Sequence, residues 1–117
     1  MTLFELVSRL ELSNYTPSLG RLLNAEAARA MVSDVPSDVL SLARSGTLLV
    51  TAQSELNMLA VAAHNQLAAV LLTSGARPDE AMTARACEKN VPLLGTELTS
   101  FDAAGRLYGL GLRGETK

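Results

Sequence analysis

The sequence predicts a small α/β domain, in which a largely parallel sheet built from repeated strand–helix units is flanked by helices. Three observations carry that expectation. Short apolar runs recur at residues 47–51, 68–73 and 91–95, each ending in small polar residues or glycine. An Ala-rich stretch of helical length follows each of the first two runs. The runs are nearly continuously apolar rather than alternating, as strands must be when both faces of a parallel sheet are covered. Helices of this length suit the right-handed crossovers that join parallel strands.

Each element has a local reason. Thr2 and Glu5 have capping-box spacing and open a first helix. Residues 17–32 are harder to read: 24–31 has helix propensity, yet a strand over 28–32 completes the repeat and is the expectation. Asp34 precedes Pro36, which suits the first turn of a helix, and Gly46 marks the end of that helix. After the strand at 47–51, Ser54 is placed to cap a helix over 56–65. Leu56, Leu59, Ala60, Ala63 and Leu67 give it a packed face. Residues 74–79 turn the chain from the second strand into a helix over 80–89. Thr99 with Asp102 repeats the box spacing before a helix over 100–108, which Gly109 and Gly111 stop. The expected organisation is one domain over 1–111 and a loose C-terminal tail over 112–117.

Composition bounds the function. The chain has 117 residues, of which 48% are hydrophobic and 19% charged, so a disordered chain is excluded. Cys87 is the only cysteine, so a disulfide scaffold is excluded and a reducing, cytoplasmic location is expected. Ten basic residues against twelve acidic ones, with 3% aromatics, argue against a nucleic-acid partner. The longest apolar run, 67–72, is too short to cross a bilayer, and the N-terminal residues lack a signal-peptide pattern. Ala and Leu make up a third of the chain, and small side chains let several layers pack in little space.

In a parallel α/β sheet, ligands bind beyond the strand carboxyl ends. Here those ends carry Ser33, Asp34, Thr51, Gln53, Thr73, Gly75 and Thr96, with Asn57 in the helix that follows the second of them. Hydroxyls, an amide and backbone N–H groups at helix starts suit an anionic or nucleotide ligand. The same residue types also serve as ordinary caps and turns. Asp34 and Asp38 lie four apart at a helix start, where the helix dipole favours carboxylates. Magnesium there needs further oxygen ligands, and acid–base chemistry needs a complementary partner. His64 is the only histidine and reads as a helix-end residue, and no zinc set accompanies it or Cys87. No nucleophile elbow, dinucleotide fingerprint or Walker lysine is present. Residues 109–114 are glycine-rich, but no helical stretch follows them, so they read as a chain exit. No cofactor is expected.

Several segments in order carry a resemblance. They are Ser33-Asp-Val-Pro-Ser-Asp-Val-Leu40, Gly46-Thr-Leu-Leu-Val-Thr-Ala-Gln-Ser-Glu-Leu-Asn57, Leu67-Ala-Ala-Val-Leu-Leu-Thr-Ser-Gly75, Val91-Pro-Leu-Leu94 and Gly105-Arg-Leu-Tyr-Gly-Leu-Gly111. The chain resembles the DRTGG domain family, especially small stand-alone members encoded beside iron-only hydrogenase and kinase- or phosphatase-type regulator genes. The resemblance implies an α/β fold like the N-terminal domain of HPr kinases. Where the family's name-giving Asp-Arg and Thr-Gly-Gly stand, this chain reads Asn24-Ala-Glu-Ala-Ala-Arg-Ala-Met31, and Glu55 takes the family histidine's place. The resemblance implies that any ligand loop these residues form in relatives is altered here. Fusions of relatives to phosphotransacetylase and to CBS-domain pyrophosphatases imply a regulatory, dimer-forming role. The leading expectation is therefore a non-catalytic homodimeric regulatory or interaction domain, with a redox or kinase-type protein as partner. A small-molecule sensor at the strand ends and a small enzyme using Asp34 are the alternatives.

Overall fold

The protein is described here from a computed structural model covering residues 1–115. Helix α1 (Leu3–Leu10) starts at the expected box: Thr2 Oγ1 accepts from Glu5 N–H, and the Glu5 carboxylate accepts from Thr2 N–H. A short strand β1 (Ser13–Asn14) and a 3-10 segment (Pro17–Asn24) follow. The repeats then run β2 (Arg29–Val32), α2 (Pro36–Leu42), β3 (Thr47–Thr51), α3 (Leu56–His64), β4 (Ala69–Leu72), α4 (Glu80–Lys89), β5 (Leu93–Gly95) and α5 (Ser100–Gly109).

The five strands form one sheet in the order β1-β5-β4-β3-β2. Strands β2 to β5 are parallel and adjacent in chain order, and β1 closes the far edge antiparallel to β5. Each crossover thus steps one strand in the same direction, which puts α2, α3 and α4 on one face. The packing shows it: Val39, Met58, Leu59, Ala62, Met82 and Ala86 meet Leu49, Val70, Leu72 and Leu93. On the opposite face, α1 and α5 bring Leu3, Leu6, Ala103 and Leu107 against Leu48, Val50, Leu71 and Leu94. Successive strand residues point to opposite faces, so each strand feeds both cores, and β3, β4 and β5 are buried at every position. This is the reason those runs carry no polar alternation.

Four details differ from expectation. Ser54 does not cap α3; Glu55 holds that position, and no side-chain cap bond is made. Gly46 does not stop α2, which ends at Leu42. Its positive φ of 86° instead turns the chain into β3, while its carbonyl accepts from Ala28 N–H. Strand β1 and the 3-10 segment lay outside the repeat that the sequence displays.

The fourth concerns residues 112–115, which are not a loose tail. Leu112 is buried, and Arg113 C=O accepts from Ala30 N–H on the β2 edge. The Glu115 carboxylate accepts from Thr47 Oγ1 at 2.6 Å, from Arg44 N–H and from Arg44 Nε. Burial works to raise the Glu115 carboxyl, but those hydrogen bonds outweigh it and hold it below the usual carboxylate range. Its stabilising contribution is present at neutral pH and is lost as the pH falls through that depressed value. Residues 116 and 117, the rest of the expected tail, lie outside the described residues.

Candidate ligand site at the strand carboxyl ends

The expected site residues fall into two hydrogen-bonded groups. The first joins the ends of β2 and β3. Asp34 Oδ1 accepts from Thr51 Oγ1 at 2.8 Å and from Ala52 N–H at 2.9 Å. Thr51 Oγ1 in turn accepts from Gln53 N–H, and Ser33 Oγ accepts from Val35 N–H. Thr51 is fully buried whereas Asp34 is exposed, so the carboxylate reaches inward over the loop to a hydroxyl the sheet has hidden. Asp34 is therefore a loop-ordering residue, bound to two donors of the β3–α3 connection.

The second group joins the ends of β4 and β5, where the fold has its change of face. The connection after β4 goes to α4 on one side, and that after β5 goes to α5 on the other. Such a divergence opens a crevice in many α/β sheets. Here the two loops are sewn across it. Ser74 N–H donates to Leu98 C=O at 2.7 Å, and Gly75 N–H to Thr96 C=O at 3.1 Å. Thr73 Oγ1 and Ser100 Oγ lie 2.6 Å apart, and Arg77 pairs with Glu97 at 3.6 Å. Gly75 has a φ of +72°, and a methyl group there would press on the Glu97 carboxylate. The positive φ disfavours a side chain at this position, whereas the exposed Glu97 carboxylate is free to swing aside.

The helix starts next to these groups are not alike. Asp79 accepts from Met82 N–H at the start of α4, and Thr99 accepts from Asp102 N–H at the start of α5. The starts of α2, at Val35, and of α3, at Glu55, have no side-chain cap bond. Both lie beside the Asp34–Thr51 group. N–H groups at such ends, together with the helix dipole, favour an anion.

Asn57 stands apart from both groups, on the wall of a groove of about 600 Å³ formed by α3 and α4. Leu56, Leu59, Ala60 and Ala63 line it, and His64, Arg85 and Lys89 edge it. Thr96 borders a different hollow of about 440 Å³, beside Tyr15, Glu11 and Asp102. In that hollow the Tyr15 ring lies on Gly95, where a methyl group would collide with it. The eight residues therefore share one edge of the sheet and its nearest helix but do not line one cavity. Sequence reading missed Ser100 as the partner of Thr73, and no local signal pointed to it, because the bond spans 27 residues. His64 sits exposed at the end of α3 with Nδ1 3.0 Å from Asn65 Oδ1, as a helix-end residue should. Cys87 is half-buried on α4, 3.5 Å from Ser18 Oγ. Among the described residues, no helix is long and apolar enough to cross a membrane.

The family of DRTGG domains matches residues 21–110. No curated protein matches the chain. Among solved structures, the chain is similar to the CBS and DRTGG domains of the regulatory region of Clostridium perfringens pyrophosphatase, complexed with its activator diadenosine tetraphosphate. The TM-score is 0.71 at 16% identity, over 99% of this chain and 50% of that one. This chain thus spans about half the length of that structure, and the likeness concerns the fold. The four parallel strand–helix steps, from the 3-10 segment to the end of α5, occupy the stretch matched by the family, and the chain belongs to the DRTGG domain family.

Proposed function

We propose that this chain is a non-catalytic regulatory domain that acts as a homodimer through the α3–α4 groove. The observation carrying the regulatory role is the DRTGG match over residues 21–110, supported by the fold it shares with a pyrophosphatase regulatory region. The groove supports the self-contact. Leu56 is 48% exposed at its mouth, and Ala60 and Ala63 allow a second helix pair to approach closely. A two-fold contact presents the same patch from each copy. Light scattering at micromolar concentration should then give twice the 12.3 kDa monomer mass. Ala60→Glu, which puts a carboxylate on this patch in both copies, should return a folded monomer whose unfolding temperature is lower by the stability the contact supplied and no longer depends on concentration. A monomeric unsubstituted protein would sink the dimer. A redox or kinase-type partner protein is the further contact this role implies.

The uncapped start of α3 favours a second reading, in which the domain also senses an anionic metabolite or nucleotide beside Ser33, Asp34, Thr51 and Gln53. Thermal unfolding with a panel of nucleotides, phosphates and carboxylates tests it. A ligand at a hundred times its Kd contributes about 2.7 kcal/mol, which is several degrees for a domain of this size. That shift should vanish in Asp34→Ala and Gln53→Ala proteins. A panel without any shift removes the sensor and leaves the dimer untouched. Acid–base use of Asp34 is disfavoured by its two bonds to the β3–α3 loop.

A further inference from the structure

Helix α5 turns Ala103 and Leu107 into the core. At about 100° per residue, this puts Gly105 in the middle of the outer face. Phe101 and Tyr108 then lie on one flank of Gly105, and Asp102 and Arg106 on the other. All five residues are exposed, Phe101 at 84% and Tyr108 at 59%. The chain has two Phe, two Tyr and no Trp, and one of each kind of ring stands on this face rather than in the core. A hollow of about 410 Å³ opens among Phe101, Asp102, Gly105 and Arg106.

Nothing inside the chain accounts for this face. A glycine within a helix costs stability relative to alanine. Yet a Cβ at Gly105 or at Gly109 would meet no side chain and no neighbouring element within 4 Å. The charged flank is equally unclaimed. Among the described residues, the Asp102 carboxylate and the Arg106 guanidinium make no ion pair, with each other or with any other group. The Tyr108 ring, by contrast, is held in place. The Arg113 guanidinium lies 3.7 Å over it and donates to Tyr108 C=O, which fixes the ring with its free side outward.

We propose that the outer face of α5 binds the same face of a second copy, with the two helices antiparallel and crossing at Gly105. A two-fold axis perpendicular to both helices reverses their direction but keeps each flank against itself. Phe101 then meets the partner's Tyr108, and Asp102 meets the partner's Arg106, each twice. The face is thus complementary to itself, ring to ring on one flank and acid to base on the other. The bare backbone at Gly105 lets the helices approach closely. One acid and one base leave the face neutral, so two copies do not repel. A single ten-residue helix offers less area than a standard stable interface, so the contact is weak and forms at high local concentration. Helix α5 and the α3–α4 groove lie on opposite faces of the sheet, so one copy can hold a neighbour through each. The α5 contact does not rest on the groove.

Light scattering of the Ala60→Glu protein isolates this contact, because the groove is blocked there. Between about 10 µM and about 1 mM its mass should rise from 12.3 kDa toward twice that value. Adding Arg106→Asp, which sets carboxylates against carboxylates, should hold the mass at the monomer value over the whole range. Adding Asp102→Arg as well restores opposite charges across the axis and should bring the rise back. Gly105→Leu, in the same background, should also stay monomeric while its unfolding temperature at the low concentration rises by a few degrees. Opposite signs for stability and association are what a purely structural glycine would not give. A mass that stays at 12.3 kDa at the high concentration overturns the self-contact and leaves the face to another protein. A rise that survives Arg106→Asp or Gly105→Leu overturns the α5 crossing. The groove dimer is read at the low concentration by comparing the unsubstituted and Ala60→Glu proteins, so either contact can fail without the other.

Discussion

Leu71→Ala should cost about 3 kcal/mol and lower the unfolding temperature by roughly 10 °C or more. Leu71 lies in β4, which has a hydrogen-bonded parallel neighbour on each side. Its side chain is fully buried in the core that α1 and α5 close, with Leu48, Val50, Leu94 and Leu107. Truncation removes three carbons that no neighbour can replace. The strand is hydrogen-bonded on both sides and cannot slide, and α5 is tied to the loop after β4 through Thr73 and Ser100. The site can therefore collapse little, and most of the cavity cost is retained. Leu56→Ala, on a residue that is 48% exposed, should change stability by no more than about 0.5 kcal/mol. Urea unfolding of the two proteins checks both values, with an unchanged slope required for the comparison. A Leu71→Ala loss below about 1 kcal/mol would mean that β4 is not enclosed on both faces.

That enclosure also explains how much could be read in advance. Strands buried on both faces have no room for polar residues, so β3, β4 and β5 stand out as apolar runs, and β3 falls at residues 47–51 as expected. Helix α4 begins and ends where expected, because Asp79 caps its start and Asn90 takes the left-handed conformation at its end. Strand β2 was legible only through the repeat, since its residues are half-buried or exposed and carry a mixed pattern. Strand β1 is two residues long and leaves no periodic trace. The segment after α5 looked like an exit because glycine and charge dominate it. Its order comes from Thr47 and Arg44, about seventy residues away in sequence. The candidate site divides in the same way. Which residue types occupy the strand ends was readable, because topology places them there. That Asp34 holds Thr51 and that Thr73 meets Ser100 was not, because those bonds span 17 and 27 residues.

Asn65 provides the second large effect, from a residue whose sequence context marks it only as a helix end. Helix α2 is seven residues long and stops without a glycine, so its last carbonyls need donor partners from elsewhere. The Asn65 side chain supplies them from the end of α3. Its Nδ2 lies 3.1 Å from Val39 C=O, 3.0 Å from Leu40 C=O and 2.9 Å from Ala43 C=O. Val39 and Ala43 are buried, so water cannot readily replace the amide there. Asn65→Ala should cost about 2 kcal/mol, chiefly because the Ala43 carbonyl loses this donor, while Val39 C=O keeps the Ala43 N–H. Asn65→Asp is nearly identical in shape but turns an oxygen toward three carbonyl oxygens, so it should cost more than Asn65→Ala at neutral pH. It should recover part of the difference in acid, where the protonated carboxyl donates again. Because α2 carries the packing of Val39 beneath the β2–α2 turn, the loss should also loosen the loop that Asp34 orders. Urea midpoints of the two proteins at neutral and acid pH give the comparison. If Asn65→Asp proves as stable as Asn65→Ala at neutral pH, the amide is not what closes the end of α2.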